Sequence, residues 1–161
     1  MPTKKSHYTG KSGQLAVMAE FALRGYNVAM PEMDIGDDIF VVDDERGHMW
    51  RIQVKTSVLK KQKKSSSGQF WIKEEAITEA VQPPLFFVFV MRMDNKWRFL
   101  IMDRAILADR VRADRIGTRT TVGRFNGRMF YISVRHDERV LCSKIELTHH
   151  MEDWGAWPEL T

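Results

Sequence analysis

The stretch from residue 38 to residue 57 constrains this chain more than any other. "DIFVVD" at 38–43 is apolar through its middle, as a central strand covered on both faces requires. "DERGH" supplies a turn, and "MWRIQVKTS" at 49–57 is the return strand of a hairpin. Side chains alternate along a strand, so Gln53 and Lys55 share one face while Ile52, Val54 and Thr56 share the other. A solvated outer face accounts for an amide and an ammonium two residues apart. A site that needs both accounts for them equally well.

The hairpin turn, centred near Glu45 and Arg46, sets Asp38 roughly opposite Gln53 on the antiparallel neighbour. Upstream, Leu15, Met18, Ala19, Ala22 and Leu23 recur at spacings of three and four, which predicts a helix from Gly13 to Gly25. Ser12 suits its N-cap and Gly25 its stop, with residues 1–12 a loose basic tail. Glu20 on the flank of that helix can face the sheet edge. Two carboxylates, an amide oxygen and a lysine then converge at one end of a sheet. Phosphodiester hydrolysis uses this inventory: hard oxygen ligands hold Mg²⁺, and a lysine steadies the nucleophile or the developing charge.

Residues 13–57 resemble the core of the PD-(D/E)XK nuclease superfamily, in particular Holliday-junction resolvases and nucleases associated with group I introns. The resemblance rests on a glycine before a helix with an inward glutamate (Gly13, Glu20) and a G-Y-x-V strand (Gly25, Tyr26, Val28). It continues in an aspartate before an apolar strand (Asp38) and an acidic-x-Lys motif, here Gln53-Val54-Lys55. It implies an α/β, restriction-endonuclease-like core with a central mixed β-sheet flanked by helices. It also implies a Mg²⁺-dependent DNA endonuclease, Mn²⁺ serving as a substitute. Glu20, Asp38, Gln53 and Lys55 are then the catalytic set, with Asp38, Gln53 and Glu20 as metal ligands, and a homodimer suits two-strand cleavage. Gln53 stands where the pattern has Glu, and its oxygen brings no negative charge. Asp37 points to the opposite side of the strand from Asp38, and Asp34 is an outside candidate for the same role. The alternative is a DNA-binding module that keeps the fold and has lost the chemistry.

At 161 residues the chain reads as one domain, a core over 13–102 with an arginine-rich extension over 103–161. Net charge is +4, which favours a polyanionic partner. The longest apolar run, "PPLFFVFVM", has strand length and cannot span a bilayer. The N-terminus lacks the apolar stretch of a secretory signal, and Cys142 is the single cysteine, so the cytoplasm is the expected compartment.

Two basic segments are the candidate DNA contacts. The first is Lys60, Lys61, Lys63 and Lys64 in a polar loop; the second contains Arg112, Arg115 and Arg119, whose forks match phosphate geometry. Each also reads as a solvated or ion-paired surface. "GKSG" at 10–13 lacks the glycine and the strand that a phosphate loop needs. His149, His150, Glu152 and Asp153 form an unassigned polar cluster, and Trp154 and Trp157 read as packing anchors. A second hairpin turns at Asp94-Asn95.

Overall fold

The computed structural model describes residues 3–33 and 36–160. Helix α1 (Lys4–Leu23) begins at Lys4, well before the apolar periodicity starts, with Thr3 as its N-cap accepting the Ser6 amide at 3.2 Å. The expected basic tail is thus the exposed first half of a helix. Only from Gly13 does α1 lie on the sheet, burying Gly13, Val17 and Phe21 at steps of four.

Three strands follow: β1 (Asn27–Ala29), β2 (Ile39–Asp43) and β3 (His48–Val58). Asp43 closes the β2–β3 turn by accepting the amides of Glu45 (3.1 Å) and Arg46 (3.0 Å). Next come β4 (Lys60–Lys61) and β5 (Ser65–Lys73), whose first part falls where the sequence suggests a polar loop, and then the short α2 (Glu74–Thr78). β6 (Leu85–Met93) and β7 (Lys96–Asp103) form the second hairpin, whose turn residues Asp94 (φ 47°) and Asn95 (φ 60°) occupy the left-handed region. After α3 (Arg104–Ala113) come β8 (Thr118–Val122), β9 (Phe125–Arg135), β10 (Val140–Cys142), β11 (Ile145–Glu146) and a 3₁₀ turn at Thr148–His150.

The first sheet runs β1-β2-β3-β6-β7 and is mixed: β3 pairs parallel with β6, and the other neighbours are antiparallel. The second, β11-β10-β9-β5-β4 with β8 on β9, is antiparallel. The fold is therefore α/β with a central mixed sheet, α1 covering one of its faces and the second sheet packed on part of the other.

The two faces carry separate cores. Ile39, Val41, Ile52 and Val54 meet Val17 and Phe21 of α1, and Trp157 completes this core. Its ring lies 5.0 Å from Phe21 and 4.6 Å from Phe86, both edge-on, as the packing reading of the tail expects. On the opposite face Phe87, Phe89 and Met91 of β6 meet Phe70 and Ile72 of β5 and Phe130 of β9. Residues of the expected C-terminal extension thus pair with β5 rather than forming an appendage. No helix among the described residues is long and apolar enough to cross a membrane.

Candidate functional site

Register puts the hairpin residues where the sequence expects them. Ile39 pairs with Ile52 and Phe40 with Arg51, so Asp38 falls opposite Gln53 one step beyond the ladder. There the regular pairing opens. Asp38 N donates to Ile52 O at 2.9 Å, and Asp38 Oδ2 accepts the Val54 amide at 2.7 Å. The carboxylate stands in for a backbone carbonyl at the point where β2 and β3 part.

Gln53 is 8% exposed, and its two amide atoms have different fates. Nε2 donates to Gly36 O at 2.5 Å, which fixes the amide's orientation. Among the described residues Oε1 is buried with no hydrogen-bond partner. A buried carbonyl left unsatisfied costs about 1–3 kcal/mol, so an aimed, orphaned oxygen calls for an explanation such as an ion.

Gln53 and Lys55 open onto a cleft of about 500 Å³, walled on the far side by Trp71, Lys73 and Phe125. The cleft exists because the second sheet packs over β6 and β7 and leaves this part of β3 uncovered. Asp37, rather than Asp38, lines its wall. Asp37 is 4% exposed, and its Oδ2 takes the Arg51 guanidinium through Nε (2.8 Å) and through Nη2. Its charge is therefore matched by an arginine. Asp34 lies outside the described residues.

Glu20 is part-buried on α1, seven residues from Gly13 and on the same stripe of the helix. Residue 14 reaches the end of the sheet: Gln14 Nε2 donates to Asp38 O at 2.5 Å. Glu20 sits six residues further along α1, about 9 Å up the axis and roughly 120° round it. Among the described residues its side chain has no hydrogen-bond or ion-pair partner. Gly13 sets this placement, because a Cβ there would meet Thr56 Oγ1 at 2.0 Å, so helix and strand touch backbone to side chain beside Gln14. The sequence signal was available in that glycine, one residue before Gln14.

The basic segments fall elsewhere. Lys60 and Lys61 form β4, and Lys63 and Lys64 follow it; all four are exposed. They lie beyond the end of β3, with Lys60 about 17 Å along the chain from Lys55. Arg112 pairs with Asp109 at 2.5 Å, and Arg115 follows α3 in a left-handed conformation (φ 55°). Both border a different recess, beside Glu74 and Arg128. Arg119 is exposed on β8.

Other chemistry-bearing groups are structural. Burial pushes the Cys142 thiol up, away from the reactive thiolate. Glu152 accepts the Phe99 amide (3.1 Å), Asp153 caps Gly155 (3.2 Å), and His150 is buried. Among the described residues no group of three or more His, Cys, Asp or Glu is placed to hold a metal. A cation at the β2–β3 opening would need the Gln53 oxygen beside the Asp38 carboxylate.

No protein-family model matches the chain, and no curated protein matches it. The fold is similar to a solved structure, that of a bacterial homing endonuclease, I-Ssp6803I. The TM-score is 0.58 at 16% sequence identity, over 97% of this chain and 91% of that one. The two chains share a nuclease-like fold.

Proposed function

We propose that this protein is a metal-dependent DNA endonuclease of the PD-(D/E)XK type, with its centre at Asp38, Gln53 and Lys55. The observation that carries the reading is the Gln53 amide, pinned through Nε2 and presenting a buried Oε1 with no partner among the described residues, opposite Asp38 in the β2–β3 register. Hard oxygen donors of this kind suit Mg²⁺ or Mn²⁺, so Asp38 and Gln53 would hold the ion. When bound, such an ion supplies charge stabilisation at the phosphate and acidifies water. Lys55, on the same face as Gln53, places an ammonium in the cleft where it orients a nucleophile and offsets charge on the scissile phosphate. Gln14 holds the Asp38 backbone through its carbonyl oxygen, and Glu20 is the expected further ligand. The likeness to a homing endonuclease supports DNA as the substrate. Cutting both strands calls for two such centres, which a homodimer would supply.

One observation favours the second reading, a DNA-binding module without chemistry. Asp37 is held by Arg51, which leaves the centre poor in available carboxylate. Incubating supercoiled plasmid with the protein in Mg²⁺, Mn²⁺ or EDTA separates the two. The nuclease nicks or linearises the plasmid with metal only, and Lys55→Ala loses cleavage by roughly a hundredfold or more while still retarding DNA. DNA retardation without cutting in either metal selects the binding module.

A further inference from the structure

The outward face of the second sheet is the part of the molecule that the proposed chemistry leaves unused. Strands β4, β5, β8 and β9 contain no Asp or Glu. Register turns Lys60, Lys73 and Arg135 to this face and Lys61, Arg119 and Arg128 to the other. Lys73 lies 3.7 Å from Glu75 in the adjoining helix. Four adjacent strands without a carboxylate, in a chain holding 21 Asp and Glu, form a surface matched to a polyanion.

Register sorts the side chains of these strands. Gln69 pairs with Tyr131, Trp71 with Met129 and Thr118 with Met129, so Gln69, Trp71, Tyr131 and Thr118 share one face. Phe70, Ile72 and Phe130 take the other face and fill the core. Trp71 and Tyr131 are each 42% exposed, an unusual position for large aromatics on a monomer's sheet. Their geometry is fixed: the Trp71 ring meets Phe125 edge-on at 5.8 Å, and the Tyr131 hydroxyl is held by Gln62 (2.8 Å) and Ser67 (2.6 Å). The face is also continuous with the cleft, because Trp71 and Lys73 belong to both.

From this we infer that the outward face of β5, β8 and β9 is a sequence-reading surface that enters the major groove of duplex DNA. Lys55 and its neighbours meet the backbone of the same duplex. The major groove admits β-ribbons, and an exposed Gln presents the donor–acceptor pair that reads adenine, while a Thr methyl packs on the methyl of thymine. Gln69 and Thr118 are the base-reading residues, Trp71 and Tyr131 set the depth of entry, and Lys60, Lys73 and Arg135 take phosphates. The Lys63, Lys64, Arg112 and Arg115 candidates are peripheral to this surface.

The inference rests on the DNA-endonuclease reading, and a selection experiment separates the two. The full chain is incubated in Ca²⁺ with a library of duplex DNA randomised over 20–30 base pairs, and bound molecules are sequenced; cleavage of the selected duplex is then measured in Mg²⁺. Wild type should enrich a motif. Gln69→Ala should lose discrimination at one or two adjacent positions by roughly tenfold, and Thr118→Ala at another, each with little loss of total binding. Both residues are exposed, and unchanged melting temperatures confirm that the variants fold. An enriched motif without Mg²⁺ cleavage would sink the nuclease reading and leave this surface standing. No enriched motif in wild type, or a motif identical in Gln69→Ala and the Gln69→Ala/Thr118→Ala pair, would overturn the inference even if plasmid is cut.

Discussion

Asp38 Oδ2 sits 2.7 Å from the amide nitrogen of Val54 and satisfies it where the β2–β3 ladder opens. A residue with this double duty cannot be tested by truncation, because alanine would orphan a backbone donor as well as remove a charge. Asp38→Asn separates the duties, since the asparagine Oδ1 still accepts from Val54. Stability should change by less than about 1 kcal/mol in urea unfolding, while metal-dependent cleavage falls by roughly a hundredfold or more. A large loss of stability in this variant would make Asp38 chiefly a structural residue.

Gln53→Glu adds charge to the proposed metal site at a structural cost. Glutamate has no hydrogen to give Gly36 O, and it sets a carboxylate against a carbonyl now 2.5 Å from Nε2. Without metal the variant should be less stable by about 1–3 kcal/mol. Millimolar Mg²⁺ should raise its melting temperature more than that of wild type, because an ion that binds only the folded state stabilises it by mass action. Equal Mg²⁺ shifts in the two proteins would remove Gln53 from the ligand set.

Gly13→Ala inverts a familiar rule. Alanine ordinarily favours a helix interior by about 1 kcal/mol over glycine. Here the new Cβ would meet Thr56 Oγ1 at 2.0 Å and Thr56 Cβ at 2.8 Å. The variant should lose about 1–3 kcal/mol, as overpacked interiors do, and Gly13→Ala/Thr56→Gly should recover part of it. Additive losses in the double variant, measured by a mutant cycle, would show that α1 and β3 are not in contact there.

His150 gives the fold a pH dependence. It is 6% exposed, and burial first, then the charges of His149 and Arg110, hold its pKa down at about 4. The unfolded chain takes up the same proton near the ordinary value of about 6.5. Between these values the unfolded state binds more protons, so stability is full above about 6.5 and falls as the pH drops toward 4. Wild type and His150→Phe should therefore converge or cross as the pH is lowered from 7 to 4.5, the variant losing less. Parallel pH profiles would place His150 in water.

How much of this could be read beforehand differs from residue to residue. The β2–β3 register and the Asp94-Asn95 turn were legible, because apolar alternation and turn chemistry are local. The buried run Ser65-Ser66-Ser67-Gly68 reads as a loop, yet it is strand. β5 crosses β3 there so closely that a Cβ on Gly68 would meet Ser57 Oγ at 2.6 Å, and only small side chains fit. Helix α1 was legible only from Gly13, since its first half packs on nothing that would impose a periodicity. That Gln14 reaches the Asp38 carbonyl turns on which point of the helix touches the sheet. That contact is tertiary, and the spacing of apolar residues along α1 does not contain it.

Trp157 carries a consequence for the order of events when the protein is made. Its ring is fully buried among Phe21, Trp50 and Phe86, all from the first part of the chain. A ribosome therefore releases Asp38, Gln53 and Lys55 long before it releases the side chain that closes the core beneath them. Contacts of such sequence separation form late and slowly. A nascent chain that stops short of Trp157 would hold the cleft residues without the packing beneath them, so their rigid placement waits until residue 157 has emerged.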